Sequence, residues 1–366
     1  MIRYVDEYRD GALAKHLAEK IASRVREDTE YRFMEFCGGH THAIFRYGIA
    51  DLLPPSIRLI HGPGCPVCVL PMGRIDGAIE LSGNRGVILA TYADMMRVPA
   101  SNGTSLYKAK AEGSDVRMVY SASDTLKIAR DNPEKEVVFF AIGFETTTPP
   151  TALAIMQAKS ENIRNFSVYC NHVLTPPALR GILDMGAMID GVIGPSHVSA
   201  VIGTAPYAFV PEEYGKPVVI AGFEPLDVMQ AILMLVNQVN SGQAMVENEY
   251  KRAVEGGGNC RAQTLMKEVF ELREAFEWRG LGWMEHSARK IGKAFSAFDA
   301  EERFGMHHVS IKDHKACECG DILRGVKRPR DCKVFGTACT PENPIGSCMV
   351  SSEGACAAYY SYGRYK

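Results

Sequence analysis

Short apolar runs alternate with helical patterns along most of the chain. From residue 31 onward, eight runs rich in Val, Ile and Phe are each followed by a polar Gly, Ser or Thr loop and a helically spaced stretch. Continuous apolar runs that alternate with helices predict parallel strands covered on both faces. The predicted strands lie at 31–36, 57–60, 86–92, 116–120, 136–142, 166–169, 191–193 and 217–221.

Eight strand–helix units match the number in a single closed barrel, but two features favour two separate lobes. A charged segment at 130–135 falls between the fourth and fifth units. The tripeptide Gly-Phe-Glu also recurs at 143–145 and 222–224, inside the second group of four. The pattern therefore predicts an α/β protein with two doubly wound parallel-sheet lobes, at 31–132 and 133–224.

The two ends of the chain do not show this alternation of strands and helices. Residues 1–30 contain apolar positions at four-residue spacing, which predicts an N-terminal helix. We expect that helix to pack on the C-terminal region, 225–366. This region begins with helical patterns at 226–239 and 262–276 and ends in a tail rich in Cys, Pro and Gly. Because the tail has little apolar surface to bury, we expect a bound group to hold it together.

Composition narrows the possible function classes. The 366 residues are 46% hydrophobic with a net charge of -2, so the whole-chain charge does not indicate a nucleic-acid or membrane partner. The first ten residues lack the apolar core of a signal peptide, and no apolar run has the roughly 18 residues of a membrane span. We therefore expect a cytoplasmic protein. Its 11 cysteines then indicate metal or redox chemistry, since that compartment is reducing.

Two cysteine motifs follow the first two predicted strands. Cys37 opens a Cys-Gly-Gly-His turn that contains His40 and is followed by His42, and Cys65 and Cys68 lie in a Gly-Pro-Gly-Cys-Pro-Val-Cys turn. Thiolates and imidazoles are soft ligands that select iron, zinc or copper, and a Cys-x2-Cys pair can also cycle between dithiol and disulfide. All three cysteines are candidate metal ligands, and both histidines are candidates to orient a metal or move a proton. A structural zinc site is the alternative.

Another candidate residue follows the fifth predicted strand. Glu145 precedes three threonines, 146–148, and ligands gather at the carboxyl ends of parallel strands. We therefore expect Glu145 to lie in the same crevice as Cys37 and to take part in its chemistry. The alternative for the threonines is helix capping, which Ser, Thr and Asp commonly provide.

The C-terminal tail predicts an iron–sulfur cluster. Its cysteines lack the two Cys-x2-Cys arms of a zinc knuckle, whereas widely spaced thiolates on a wrapped loop suit a cubane cluster. Cys332, Cys339 and Cys356 are expected ligands, and the spacing leaves the fourth open. The candidates for it are Cys317, Cys319 and Cys348, of which Cys348 is the least favoured.

These motifs together resemble the HypD family of [NiFe] hydrogenase maturation factors. The resemblance rests on FCGGHTH at 36–42, GPGCPVC at 62–68, GFETTTP at 143–149 and the cysteine pattern of the tail. It extends over essentially the whole chain.

The resemblance implies a scaffold with no independent turnover of its own. HypD-like proteins act with a HypC-like partner to hold an iron ion while the Fe(CN)2CO group is assembled, and a HypE-like partner donates cyanide. The resemblance implies that Cys37 ligates iron, that Cys65 and Cys68 form a redox-active pair, and that the tail binds a [4Fe-4S] cluster. Neither nucleic acid nor a membrane is an implied partner.

Two other functions remain open at this point. One is a dithiol–disulfide oxidoreductase that receives electrons from an iron–sulfur cluster. The other is a zinc-stabilised interaction module without redox chemistry.

Overall fold

The computed structural model describes residues 5–363. It contains thirteen strands within these residues. They are β1 Tyr31–Glu35, β2 Ile57–His61, β3 Val87–Thr91, β4 Val116–Met118, β5 Glu136–Gly143, β6 Phe166–His172, β7 Gly191–Pro195, β8 Val218–Ala221, β9 Val246–Asn248, β10 Phe270–Leu272, β11 Ala275–Trp278, β12 Gly282–Glu285 and β13 Arg289–Ile291.

Helices connect most of the strands. They are α1 Gly11–Ala22, α2 Gly38–Arg46, α3 Ile49–Leu52, α4 Pro66–Val69, α5 Met72–Ser82, α6 Leu106–Ala111, α7 Ala122–Asp131, α8 Thr148–Ser160, α9 Thr175–Asp184, α10 Ser196–Ile202, α11 Phe209–Tyr214, α12 Pro225–Ser241, α13 Cys260–Val269, α14 Ala300–Phe304, α15 Cys319–Leu323 and α16 Ala355–Ala358. Within the described part of the chain, no helix combines the length and apolar content that a membrane crossing requires.

Five parallel strands form the first sheet, called sheet A, in the order β2-β1-β7-β8-β9. Strand β1 lies between β2 and β7, with Glu35 opposite His61 on one side and Phe33 opposite Gly191 on the other. The chain leaves β1 toward β2 and returns on the opposite side at β7. The carboxyl ends of β1 and β7 therefore flank the point where the strand order reverses, which is where open parallel sheets bind ligands.

Four parallel strands form sheet B, in the order β4-β3-β5-β6. The prediction of an α/β fold with parallel sheets and a cysteine-rich C-terminal region is confirmed. The expected grouping of the first four and last four strands is wrong, because β3 and β4 pair with β5 and β6, while β1 and β2 pair with β7 and β8. The chain segment that forms sheet B is thus inserted between the two segments that form sheet A. The charged residues at 130–135 lie within this inserted segment and do not mark a boundary between lobes.

Three apolar clusters hold these layers together. The largest contains residues from one face of each sheet, including Met34 and Val192 of sheet A and Leu89 and Phe140 of sheet B. The outer face of sheet B packs on α7 and α8, and the outer face of sheet A packs on α1 and α12. The two sheets consequently share one central core, with helices α5 and α9 contributing to it.

The N-terminal helix α1 packs against α12. The Asp10 side chain begins α1 by accepting hydrogen bonds from the backbone N–H of Ala12 and Leu13. Helix α12 matches the helical pattern at 226–239, but the helix expected over 262–276 ends at Val269. The chain continues as strands β10 and β11, which pair in two small antiparallel sheets with β13 and β12.

The tail buries more apolar surface than the sequence indicated. Ile322, Leu323, Met349 and Val350 are each at most 3% exposed and belong to the central core. Helix α16 packs on α2. Apolar packing therefore anchors the tail to the central core, independently of any group that its cysteines bind.

Arg74 on α5 provides a direct test of the packing between α5, β6 and α14. Its guanidinium donates to Asn171 Oδ1 at 2.5 Å, to the Cys170 carbonyl at 2.9 Å and to Glu301 at 2.5 Å, and it is 2% exposed. Arg74→Met should lower the free energy of unfolding by about 2–3 kcal/mol, because it leaves the buried Asn171 Oδ1 without a donor. Arg273 still donates to Glu301 and to the Cys170 carbonyl. Chemical denaturation of the metal-free protein measures this loss.

The matched control is Arg130→Met, which removes an ion pair with Glu161 in which both side chains are at least 40% exposed. That change should cost at most about 1 kcal/mol. Equal losses in the two variants would contradict the role assigned to Arg74.

Candidate functional site

Two glycine-rich turns meet at the carboxyl edge of sheet A. Cys37 follows β1 and is the N-terminal capping residue of α2, and Gly64 belongs to the turn after β2. A β-carbon on Gly64 would lie 2.5 Å from both Cys37 Cα and the Phe36 carbonyl carbon, closer than real side chains approach. The motif requires glycine here because the backbones of the two turns are in direct contact. Cys37 and Cys65 are thereby held on neighbouring turns.

A buried carboxylate supports the turn that carries Cys37. Glu35 is fully buried, and its carboxylate accepts hydrogen bonds from the Cys37 backbone N–H at 2.9 Å and from the Thr41 hydroxyl. His61 Nδ1 lies 2.8 Å from the same carboxylate. Within the described residues, Glu35 forms no ion pair with Lys or Arg. It therefore places a negative charge directly beneath the candidate metal ligand.

Cys37 is an unfavourable position for an isolated thiolate. Burial raises the pKa of the Cys37 thiol above its usual range, and the carboxylates of Glu353 and Glu35 raise it further. The same two negative charges attract a cation. A thiol that stays protonated alone and loses its proton when a metal binds fits an iron-binding position.

His40 is oriented by the loop after β8. It is fully buried, and its Nε2 donates to the carbonyls of Ala221 and Gly222 at 3.0 and 3.1 Å. Burial lowers the pKa of His40, so the ring is neutral at physiological pH. Its Nδ1 is buried and has no hydrogen-bond partner among the described residues, which leaves one lone pair available.

His42 lies two residues after His40 in α2 and contacts the tail. Partial burial and the neighbouring Arg46 lower the pKa of His42, which also hydrogen-bonds the Ser352 carbonyl. Its ring packs edge-on against Tyr362, with centroids 5.5 Å apart. Of the two predicted histidines, His40 thus faces sheet A and His42 faces the tail.

The dithiol turn contacts the tail through sulfur atoms. Interactions with the neighbouring Cys348 and Cys65 thiols raise the pKa of Cys68. The Cys68 thiol donates to the Ser347 carbonyl at 3.9 Å, and the Ser347 hydroxyl donates to the Cys68 carbonyl at 2.7 Å. The neighbouring Cys319 and Cys68 thiols lower the pKa of the Cys348 thiol. Cys65, Cys68, Cys348 and Cys319 are therefore successive neighbours from the dithiol to the tail.

The remaining tail cysteines surround Cys319. Cys319 lies close enough to Cys317 and Cys356 to raise the pKa of both thiols. Cys339 and Cys332 lie within electrostatic range of Cys317, and the Ile345 N–H lies 3.3 Å from Cys339 Sγ. All six predicted tail cysteines consequently occupy one region.

This region suits an iron–sulfur cluster in its donor chemistry. A β-carbon on Gly346 would lie 2.5 Å from Cys317 Sγ and 2.6 Å from Cys319 Sγ, so glycine gives the sulfurs room against the backbone. Thiolates in this number are the ligands that such clusters use. Within residues 5–363, however, no three His, Cys, Asp or Glu side chains already converge on one metal position.

Among the described residues, Glu145 forms hydrogen bonds with Thr175 and none with a cysteine. Its buried carboxylate accepts hydrogen bonds from the Thr175 N–H and hydroxyl, both at 2.9 Å, and burial raises its pKa. Tyr207 lies within electrostatic range of both Glu145 and Cys37. The hydroxyls of Thr147 and Thr148 donate to carbonyls of their own turn, including that of Phe144, and so serve the turn's structure.

Two features of the site were not foreseen from the sequence. The supporting role of Glu35 had a signal, since this acidic residue stands between the apolar Met34 and Phe36 in the predicted strand, two residues before Cys37. The proximity of Cys68 and Cys348 had no such sequence signal, because the cysteine spacing does not indicate which tail sulfur faces the dithiol.

Gly64→Ala tests the contact between the two turns. We expect it to cost about 1–3 kcal/mol of unfolding free energy, because the new methyl group overlaps the backbone of Cys37. Gly257→Ala is the control, since a β-carbon there meets nothing within 4 Å. Equal behaviour of the two variants would refute the contact.

Comparison with known proteins identifies the family. A family model described as "HypD: Hydrogenase formation hypA family" matches residues 12–363. The chain is 63% identical to the hydrogenase maturation factor HypD of Cupriavidus necator, with 100% of this chain and 98% of the relative covered. It is 62% identical to HypD of Azotobacter vinelandii over the same shares. The identity to HypD of Escherichia coli is 46%, covering 99% and 98%. The chain therefore belongs to the HypD family of hydrogenase maturation factors.

Proposed function

We propose that this chain is the scaffold on which the Fe(CN)2CO group of a [NiFe] hydrogenase is assembled. The observation that carries the proposal is the meeting of three elements at one edge of sheet A. These are the Cys37 turn, the dithiol of Cys65 and Cys68, and the tail cysteines. This adjacency supports the proposed roles of the three elements as metal ligand, two-electron donor and electron store, which stepwise ligand addition to iron would need together.

Iron is the substrate, and Cys37 is its proposed protein ligand. Because burial raises the pKa of Cys37, the thiol releases its proton as Fe2+ binds, and the carboxylates of Glu35 and Glu353 offset the charge of the metal. At low pH the proton on the Cys37 thiol competes with iron for the sulfur, so iron uptake should increase as the pH rises. The free Nδ1 of His40 is available to accept a proton or orient an incoming ligand.

The proposed partners are a HypC-like protein, which shares the iron, and a HypE-like protein, which delivers cyanide. A cavity of about 320 Å³ opens beside the Cys37 turn and is lined by Gly39, His42, Phe223 and Glu353, among others. It provides space for a small ligand or a partner's terminal segment next to the iron position.

The dithiol is the proposed immediate source of two electrons. Closure of Cys65 and Cys68 to a disulfide releases two electrons and two protons. A short intervening loop keeps the entropy cost of closure small. The thiolate of Cys348 then attacks Cys68 Sγ and forms a Cys68–Cys348 disulfide, with Cys65 leaving as the thiolate.

The second exchange returns the dithiol to its reduced state. Cys319 attacks Cys348 Sγ, forms a Cys319–Cys348 disulfide and releases Cys68. Two electrons and two protons then reduce that disulfide. The lowered pKa of Cys348 supports its role as the attacking thiolate, since thiolates are the nucleophiles in such exchange.

A [4Fe-4S] cluster in the tail would supply single electrons. Assigning Cys319 and Cys348 to exchange leaves Cys317, Cys332, Cys339 and Cys356 as its proposed ligands. The side chains around the tail exclude water from Cys348 and Cys356, which are at most 5% exposed.

A dithiol–disulfide oxidoreductase is the second candidate, and the sulfur contacts between Cys68 and Cys348 favour it. It differs from the scaffold in requiring no bound CN or CO. Infrared spectroscopy therefore separates the two functions, and metal analysis separates both from a zinc module.

Cys37→Ser should abolish the infrared bands of metal-bound CN and CO in the protein isolated with its HypC-like partner. The serine hydroxyl is a much weaker ligand for low-spin iron than a thiolate. Visible absorption of the tail should be unchanged. Cys260→Ser, at an exposed cysteine, should retain both signals. Retained CN and CO bands in Cys37→Ser would exclude Cys37 as the iron ligand.

Cys319→Ser and Cys348→Ser should keep the iron–sulfur absorption but prevent cluster-driven reduction of the Cys65–Cys68 disulfide. Thiol alkylation followed by mass spectrometry measures that reduction. Cys317→Ser and Cys332→Ser should instead lose the absorption and loosen the tail, which proteolysis detects. Loss of absorption in Cys319→Ser with retention in Cys317→Ser would reverse the assignment of these two cysteines.

A further inference from the structure

The segment that carries the first tail cysteines is basic, in contrast to the whole chain. Residues 312–333 contain seven Lys or Arg and four Asp or Glu, whereas the protein has a net charge of -2. This segment holds Cys317, Cys319 and Cys332. The overall charge therefore conceals a local positive region beside the proposed cluster.

Each acidic residue of this segment is already engaged within the protein. The ion pairs join Asp313 to Arg279, Glu318 to Lys327 and Asp321 to Arg324, and Asp331 accepts the Arg328 backbone N–H at 2.9 Å. The ion pairs neutralise three of the four carboxylates, and Asp331 keeps its charge.

Four cations of the segment remain free of such contacts. Lys312, Lys315, Arg330 and Lys333 are exposed, and none of them forms an ion pair or a side-chain hydrogen bond with another described residue. We call these four residues the basic surface. Exposed cations without partners produce a field that extends into solvent over roughly 8–10 Å at physiological salt.

The basic surface adjoins two of the tail cysteines along the chain. Lys315 precedes Cys317 by two residues, and Arg330 and Lys333 flank Cys332. The Glu318 carboxylate connects the two stretches, because it interacts with both the Cys332 thiol and the Lys333 backbone N–H. The cations of both stretches therefore belong to the same part of the tail as Cys317 and Cys332.

The sulfurs of the tail differ in their access to solvent. Cys317 and Cys319 are partly exposed, whereas Cys348 is fully buried and faces Cys68. The tail thus has an outer side, covered by the basic surface, and an inner side, which contacts the dithiol. Electrons that leave toward Cys68 have to enter from the outer side.

We propose that the basic surface is the docking site of an acidic one-electron carrier protein that reduces the tail. The inference rests on the proposed function, since it assumes an electron-accepting tail. Each encounter oxidises the carrier by one electron and reduces the tail by one, so two encounters supply the two electrons that one disulfide requires. Complementary charge suits such transient contacts, which are small and depend on electrostatic steering.

The test compares two triple charge reversals with an acidic [2Fe-2S] ferredoxin as the probe. The first is Lys315→Glu, Arg330→Glu and Lys333→Glu. The control changes three exposed lysines on other elements, Lys127→Glu, Lys251→Glu and Lys267→Glu, and so alters the net charge equally. Stopped-flow absorption follows reduction of the tail by ferredoxin at low and physiological ionic strength. Photoreduction by a neutral deazaflavin measures reduction that needs no docking.

In the wild type and the control, ferredoxin should reduce the tail quickly at low salt and more slowly as salt increases. The basic-surface variant should be slower by about tenfold or more at low salt and nearly insensitive to salt. Its deazaflavin photoreduction should match the wild type. If it misfolds, the triple variant Lys315→Gln, Arg330→Gln and Lys333→Gln should give an intermediate effect. Ferredoxin reduction of the basic-surface variant at the wild-type rate would overturn the proposal.

A separate measurement distinguishes failure of the proposed function from failure of this inference. Absence of iron and sulfide in the anaerobically isolated protein would refute the cluster. Calorimetric titration of that protein with ferredoxin would still test the surface, because docking depends on Lys315, Arg330 and Lys333. Equal binding by the wild type and the basic-surface variant, or preferential binding of a DNA duplex, would overturn the docking site.

Discussion

Backbone segments approach one another at glycines along the carboxyl edge of sheet A, too closely for any side chain to fit between them. Gly64 contacts the backbone of Cys37, Gly38 contacts Glu353, and Gly354 contacts the backbone of Cys348. These contacts tie the turn after β1 to the turn after β2 and to the tail. They help to set the positions of Cys37, Cys65 and Cys348, each of which lies beside one of these glycines.

This arrangement has electrostatic consequences for the chemistry. Glu35 and Glu353 make the surroundings of Cys37 negative, which disfavours a bare thiolate and favours a bound cation. The tail, in contrast, is basic on its outer side and lowers the pKa of one buried thiol, Cys348, on its inner side. The proposed metal position is therefore in a negative environment, whereas the proposed entry point for electrons is in a positive one.

The sequence predicted the parallel sheets and the strand-end location of the Cys37 and Cys65 turns, because both depend on local patterns. It predicted the wrong strand grouping, since pairing of β1 with β7 depends on a crossover of more than a hundred residues that no periodicity records. The helix expected at 262–276 ended early because β10 pairs with β13, a tertiary contact. For the same reason, the contact of Cys68 with Cys348 required the structure.

The most direct test of this account is an X-ray structure of the anaerobic complex with the HypC-like partner, measured at the iron and zinc absorption edges. The account predicts two separate iron positions, one bound to Cys37 Sγ and one within the tail cysteines, with Cys65 and Cys68 free of metal. A single zinc ion shared by Cys37, His40, Cys65 and Cys68 would contradict it.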